Sequence, residues 1–150
     1  MQNMPDSYAN FLDSNIGNCQ HFKWKEALYL PSWDIHVFPY EDIALNIIQT
    51  ANRMDAIRNI LGKPIHVVNW YRPPSYNQEI GGSKFSQHMN GLAVDFYVKG
   101  YNSEVVRELL LDFLVRLNIR MEDLPGANWV HIDLGPVGKN RFFKPWALQT

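Results

Sequence analysis

Three things are scarce in this chain: it has one cysteine, Cys19, no long apolar run, and no excess charge of either sign. A single thiol cannot close an internal disulfide. That argues against a small secreted scaffold stapled by bridges, and it rules out a structural zinc site built from several cysteines. No stretch approaches the roughly 18 consecutive apolar residues a spanning helix needs, so membrane insertion is not expected. With 14 Lys+Arg against 15 Asp+Glu the formal net charge is -1. No basic run or arginine-rich helix stands out, so a nucleic-acid partner has no electrostatic footprint. The opening MQNMPDSYANFLDSN lacks both the basic start and the apolar core of a secretory signal. Synthesis and folding in a cytoplasm are the expectation, with any action elsewhere dependent on another means of delivery.

What is present is an ordinary globular composition, 46% hydrophobic and 19% charged over 150 residues, enough for one domain with a core. Residues 1 to 40 mix Phe11, Phe22, Trp24, Tyr29, Trp33 and Phe38 with Pro31 and Pro39, and read as an irregular segment packed on the body. From Glu41 to Leu61 apolar residues recur at helical spacing, with Glu41 and Asp42 in the first turn and Gly62 and Pro64 supplying a stop. IHVVNW, 65 to 70, is a β-branched run and reads as a strand. YRPPSYNQEIGGSKFSQH reads as a long loop of the kind that is usually functional.

The stretch from Leu92 to Val98 alternates, with Leu92, Val94, Phe96 and Val98 on one face and Ala93, Asp95 and Tyr97 on the other. Ser103 is the expected N-cap of a helix ending near Leu117, its buried face carrying Val106, Leu109, Leu110, Phe113, Leu114 and Leu117. A last strand runs from about Asn128 to Leu134, with Val130, Ile132 and Leu134 opposite Trp129, His131 and Asp133, and the tail reads as loop. The order of elements predicts an α+β domain, a small, mainly antiparallel sheet packed against helices.

That alternation has a chemical consequence. Asp95 and His131 both point away from the apolar faces of their strands. On neighbouring strands they would converge on one polar groove, and the loop could bring His88 over it. Two imidazoles and a carboxylate are the protein ligands of a catalytic zinc, which keeps a fourth position for water or substrate. Gly91 between loop and strand permits a sharp turn, and Ala93 keeps the groove open. Taken singly, each of the three is also an ordinary loop histidine, strand aspartate or half-buried histidine, and spacing alone leaves both readings open.

The motifs carry more. Ser86, His88, Gly91, Ala93 and Asp95 spell Ser-x-His-x-x-Gly-x-Ala-x-Asp; Tyr71-Arg72 and Gly81-Gly82 precede them, and Trp129-x-His131 follows. In these elements and, counting FKWKEAL near residue 22, over roughly residues 20 to 135, the chain resembles peptidase family M15, which includes D-Ala-D-Ala carboxypeptidases and dipeptidases and peptidoglycan endopeptidases. The resemblance implies one zinc per chain held by His88, Asp95 and His131, with Arg72 contacting substrate and polarising the scissile carbonyl. A fixed guanidinium beside developing oxyanion charge suits that role. Ser86 and Trp129 become candidate substrate contacts, although a hydroxyl capping the turn and an aromatic packed beside the strand account for them equally well.

One departure stands out. Several family members place Glu or Asp three residues before the last ligand, as general base; here that position is Asn128, whose amide cannot accept the proton. Asp133 is the best remaining carboxylate, as a base or as the partner orienting a ligand imidazole, and the orienting role is the better fit. Glu122 and Asp123 are weaker candidates on a loop. A serine triad of Ser86, His88 and Asp95 lacks the G-x-S-x-G elbow, and GGSKFSQH lacks phosphate-loop spacing. His21, His36 and His66 have no comparable context, and Trp24, Trp33 and Trp146 could form a docking surface, with packing the default.

The expected function is zinc-dependent hydrolysis of peptidoglycan stem peptides, of carboxypeptidase or endopeptidase type and suited to a phage-encoded lysin. Action on the cell wall would follow release by phage lysis or carriage on a virion. The alternative is a silent zinc-binding module of the same fold, as in the hedgehog signalling domain, serving binding or virion structure. Asn128 is the feature that favours it.

Overall fold

A computed structural model of the chain describes residues 6–145; Trp146, and with it part of the docking surface considered above, lies outside the described residues. The N-terminal segment is more regular than expected. It forms α1 (Asp6–Leu12), α2 (Trp24–Leu28) and a small antiparallel hairpin of β1 (Tyr29–Leu30) and β2 (Ile35–His36). Phe22, Trp24 and Leu28 from this segment are buried in the main core. Among the described residues no helix is long and apolar enough to cross a membrane.

The long helix α3 (Glu41–Leu61) falls where the spacing put it and ends as the sequence indicates. Gly62 adopts φ 66°, and its N–H bonds Arg58 O, closing the last turn as only a residue without Cβ does cheaply. Ile43, Ile47, Ala51, Met54 and Ile57 form its buried stripe.

Next come β3 (Ile65–Asn69), α4 (Pro74–Glu79) and β4 (Ala93–Val98). α4 and a 3-10 turn at Gln87–Asn90 correct the reading of residues 71 to 88 as an unstructured loop. Pro74 occupies the first helical turn, where its missing N–H costs nothing, so a proline pair that reads as a breaker starts a helix instead. Buried Asn77 folds the following chain back, its Nδ2 donating to Ser83 O at 2.9 Å and its carbonyl accepting from Gly82 N at 2.8 Å. A Cβ on Gly82 would lie 2.0 Å from Asn77 Oδ1, so the second glycine is required by a close approach.

The expected helix from Ser103 to Leu117 is broken into α5 (Ser103–Leu110), a 3-10 turn (Leu111–Phe113) and α6 (Leu114–Leu117). The cap is Asn102, whose side chain accepts from Glu104 N at 2.8 Å, and Ser103 is buried one position later. Leu109, expected in the core, is 49% exposed, while Arg107 is 3% exposed. Arg107 turns inward because carbonyls await it, with Nη1 donating to Trp129 O at 2.7 Å and Nη2 to Ala127 O at 3.2 Å.

Three strands finish the chain: β5 (Arg120–Glu122), β6 (Val130–Asp133) and β7 (Phe142–Phe143). β5 and β7 went unread, and β7 lies in the tail taken for loop. The main sheet runs β3-β4-β6-β5-β7, antiparallel except where β5 meets β7. Val94, Phe96, Met121, Val130 and Ile132 turn one face into a core shared with α3 and α5. The α+β class stands, with a sheet antiparallel in all but one pairing.

Candidate metal centre

The opposite sheet face carries the polar groups, and the register decides which of them meet. β4 pairs with β6 so that Asp95 opposes His131 and Ala93 opposes Asp133. β5 pairs with the other edge of β6 so that Arg120 opposes Asp133. Side chains two apart share a face. Asp95, His131 and Glu122 therefore form one row across three strands, and Ala93, Asp133 and Arg120 the next.

His88 arrives from the 3-10 turn above this face. Ser86 caps that turn, its Oγ accepting from His88 N at 3.2 Å. Gly91 closes it at φ 71°, pressed so near α3 that a Cβ would lie 2.9 Å from Ile47 Cγ1. The glycine expected to turn the chain from loop into strand does so.

The three expected ligands converge. One ligand atom from each of His88, Asp95 and His131 lies within 4.8 Å of the other two. His88 Nδ1 is 2.7 Å from Trp70 O. A carbonyl only accepts, so Nδ1 carries a proton and Nε2 is the nitrogen turned to Asp95. That Nε2 is buried without a hydrogen bond, 3.2 Å from Asp95 Oδ2. His131 Nδ1 is 2.7 Å from Asp95 Oδ1, and its Nε2 is 2.8 Å from Asp133 Oδ2.

These groups hold one another's charge. Burial pushes the Asp95 carboxyl up, but His88 and His131 outweigh it and hold Asp95 well below the usual carboxylate range. Burial alone would strip the His131 proton, yet the bonds to Asp133 and Asp95 raise its pKa to about 10. Asp133 is pushed up by burial and pulled down, to about 2, by His131 and Arg120.

The donor set fits a divalent metal. Each imidazole is held from behind by an acceptor and turns its other nitrogen toward Asp95, the arrangement in which outer partners fix tautomer and ring plane for a ligand. The Nε2 of His88 is the sharpest sign, buried beside a carboxylate with no hydrogen bond made, a placement that a bound cation would satisfy.

Asp133 sits behind His131. Arg120 Nε and Nη2 reach its two oxygens at 2.6 and 3.0 Å, and Gly135 N donates to Oδ1 at 2.9 Å. With His131 these take all four acceptor positions of the carboxylate. That placement puts the carboxylate behind the His131 ring with each of its four acceptor positions occupied.

A cleft of about 540 Å³ opens over the row. Arg72 lines it, held by Nη2 to Ser86 Oγ at 3.2 Å and by its backbone N–H to His88 O at 2.9 Å. Burial works against the guanidinium charge, and Asp95 with Tyr76 supports it. Ser86 is thus both turn cap and partner of Arg72. Trp129, 38% exposed, and Phe85, 76% exposed, also line the cleft. Asn128 is exposed and is not among the residues lining the cleft.

Glu122, read as a loop residue, lies on β5 and lines the cleft, Oε2 4.0 Å from His131 Nδ1. Burial raises its pKa, as do Asp95 and Asp133, against His131 and Arg120. Arg120 was missed altogether; it also stacks over Phe143, 4.1 Å from the ring centroid. The one available signal was the alternation of Ile119 and Met121 with Arg120 and Glu122. His66 is exposed on β3, and Cys19 is buried.

The peptidase M15 family profile matches residues 18–133. Among curated proteins, the peptidoglycan L,D-endopeptidase MepK of Escherichia coli K12 is 31% identical over 87 residues, 53% of this chain and 46% of MepK. MepK of Shigella flexneri matches to the same extent. The chain thus spans about half the length of the curated relatives it matches.

Proposed function

This chain belongs to the peptidase M15 family, and on that premise we propose that it is a zinc metallopeptidase cutting peptidoglycan stem peptides where a D-residue adjoins the bond. The observation that carries the metal is His88 Nε2, buried, without a hydrogen bond, and turned toward the carboxylate that also meets His131. His88 through Nε2, Asp95, and His131 through Nδ1 would hold the ion. Zinc in that position supplies Lewis acidity and lowers the pKa of water toward ~7.

The remaining work falls to the chain. Arg72, fixed by Ser86, offers its fork to the scissile carbonyl and to the charge that develops on its oxygen. Asp133, gripped by Arg120, keeps the His131 ring from rotating. Trp129 and Phe85 provide apolar walls for the peptide on either side of the bond. Among the bonds open to such a site, the L,D-endopeptidase activity in MepK's name favours an internal cut between L- and D-centres over trimming of a terminal residue. The setting that suits this activity is the cell wall, reached by phage lysis or carriage on a virion.

The test is digestion of purified peptidoglycan by the zinc-loaded chain, with fragments identified by mass spectrometry and Arg72→Ala as comparison. Turnover should fall about 10²- to 10³-fold in that variant, the usual loss for one oxyanion donor. Stoichiometric zinc without turnover would instead support the silent binding module, the reading that Asn128, away from the cleft, favours.

A further inference from the structure

We propose that Glu122 is the residue that takes the proton from the attacking water and hands it to the departing amine, a role that rests on the peptidase reading above. Three carboxylates line the cleft, and two are committed. Asp95 meets both imidazoles, and Asp133 has every acceptor position filled by Arg120, Gly135 and His131. Among the described residues Glu122 accepts no hydrogen bond, and its Oε2 lies 4.0 Å from His131 Nδ1. It flanks His131 on the side opposite Asp95 and lines the same cleft, its Oε2 4.0 Å from the imidazole nitrogen that meets Asp95.

Its support is firm. β5 is held between β6 and β7, and Met121 beside it is fully buried. The carboxylate is positioned by a strand rather than a loop, as a proton carrier working within hydrogen-bond reach requires. The position differs from that of the several family members whose base lies three residues before the last ligand; Asn128 stands there, exposed. The cleft is thus supplied with a base from the neighbouring strand.

The step balances simply. Water oxygen bonds to the carbonyl carbon while Glu122 accepts one of its protons. The C–N bond then breaks, and Glu122 returns that proton to the amine nitrogen. The acid product keeps the second proton of the water until it passes to the amine or to solvent, and Glu122 ends unprotonated.

The experiment compares wild type with Glu122→Gln and Glu122→Asp on a purified cross-linked muropeptide dimer. Turnover, zinc affinity by chelator competition, and calorimetric binding of the uncut dimer are measured on each. Glu122→Gln should lose about 10²- to 10⁴-fold in kcat, the usual worth of general base catalysis. It should keep one zinc per chain at unchanged affinity and bind the dimer within about threefold of wild type, and Glu122→Asp should recover part of the turnover. Should Glu122→Gln fold poorly, Glu122→Asp carries the test, a tenfold or greater kcat loss with zinc retained being the supporting result. Turnover of Glu122→Gln within tenfold of wild type overturns the proposal. Zinc lost in step with activity overturns it too, making Glu122 a ligand. A wild-type chain that cuts no dimer overturns the peptidase reading as well, so the two failures are distinct.

Discussion

Strand β6 turns Val130 and Ile132 to one side and His131 and Asp133 to the other, and all four are buried. The apolar side packs on Val94, Phe96 and Met121 within the core. The polar side is bound by angle and charge, every imidazole nitrogen and carboxylate oxygen having a named neighbour. Apolar burial is non-directional and tolerates exchange of similar volumes. A buried polar network is intolerant, because one missing partner strands the others. The same strand should therefore respond to mutation in two ways, losing stability on one face and chemistry on the other.

The sharpest break comes from the polar face. His88→Ala or Asp95→Ala should abolish zinc uptake and reduce peptidoglycan hydrolysis to background, while circular dichroism keeps the wild-type shape. Retained zinc in either variant would dissolve the proposed centre. Ile132→Ala tests the other face. It should cost about 2–5 kcal/mol in denaturant unfolding, since the side chain is fully buried, with turnover per folded molecule little changed. Equal loss of stability and of specific activity would mean that the two faces are not separable.

The contrast also explains what the sequence could tell. Apolar alternation placed β4 and β6 with Asp95 and His131 on the outward face, so the shared facing of these two residues was legible from period alone. α3 was legible because 21 residues of helical spacing end at a glycine in the left-handed region. β5 has three residues, entered from Asn118 at φ 52° and followed closely by Pro125, too short for alternation to declare itself. Arg120 stayed hidden with it, Glu122 was placed on a loop instead of a strand, and the full set of partners of Asp133 could not be read. Their relation to His131 comes from sheet order, which places β5 beside β6. In α5 the reading failed differently, because carbonyls of the loop before β6 drew Arg107 inward and displaced Leu109 to the surface.

A finer probe stays on the polar face but one shell out. Arg120→Met removes the fork from Asp133 and leaves an unpaired buried carboxylate behind His131. Zinc affinity should fall about 10- to 100-fold, the usual cost of losing an outer partner of a ligand. Chelator competition measures it, and Arg120→Lys should restore only part, since an ammonium cannot grip both oxygens as the guanidinium does. Unchanged affinity would mean that Asp133 orients His131 without help.

The smallest effect is one of pH. In the chain stripped by a chelator, His131 is raised from the ordinary histidine range to about 10 by its two carboxylate partners, against burial. A raised pKa means that the folded state holds the proton more tightly. The stabilisation is therefore complete below the unfolded value of about 6.5 and fades as pH rises through about 10. The stripped chain should melt several degrees lower at pH 10.5 than at pH 7. In the proposed centre zinc would take the place of that proton on Nδ1, so the loaded chain should show little of this alkaline loss. Its formation at pH 7 should release about one proton per site, measurable as acidification of a weak buffer. A stripped chain whose melting temperature stays level from pH 7 to 10.5 would mean that Asp95 and Asp133 do not share a charged imidazole between them.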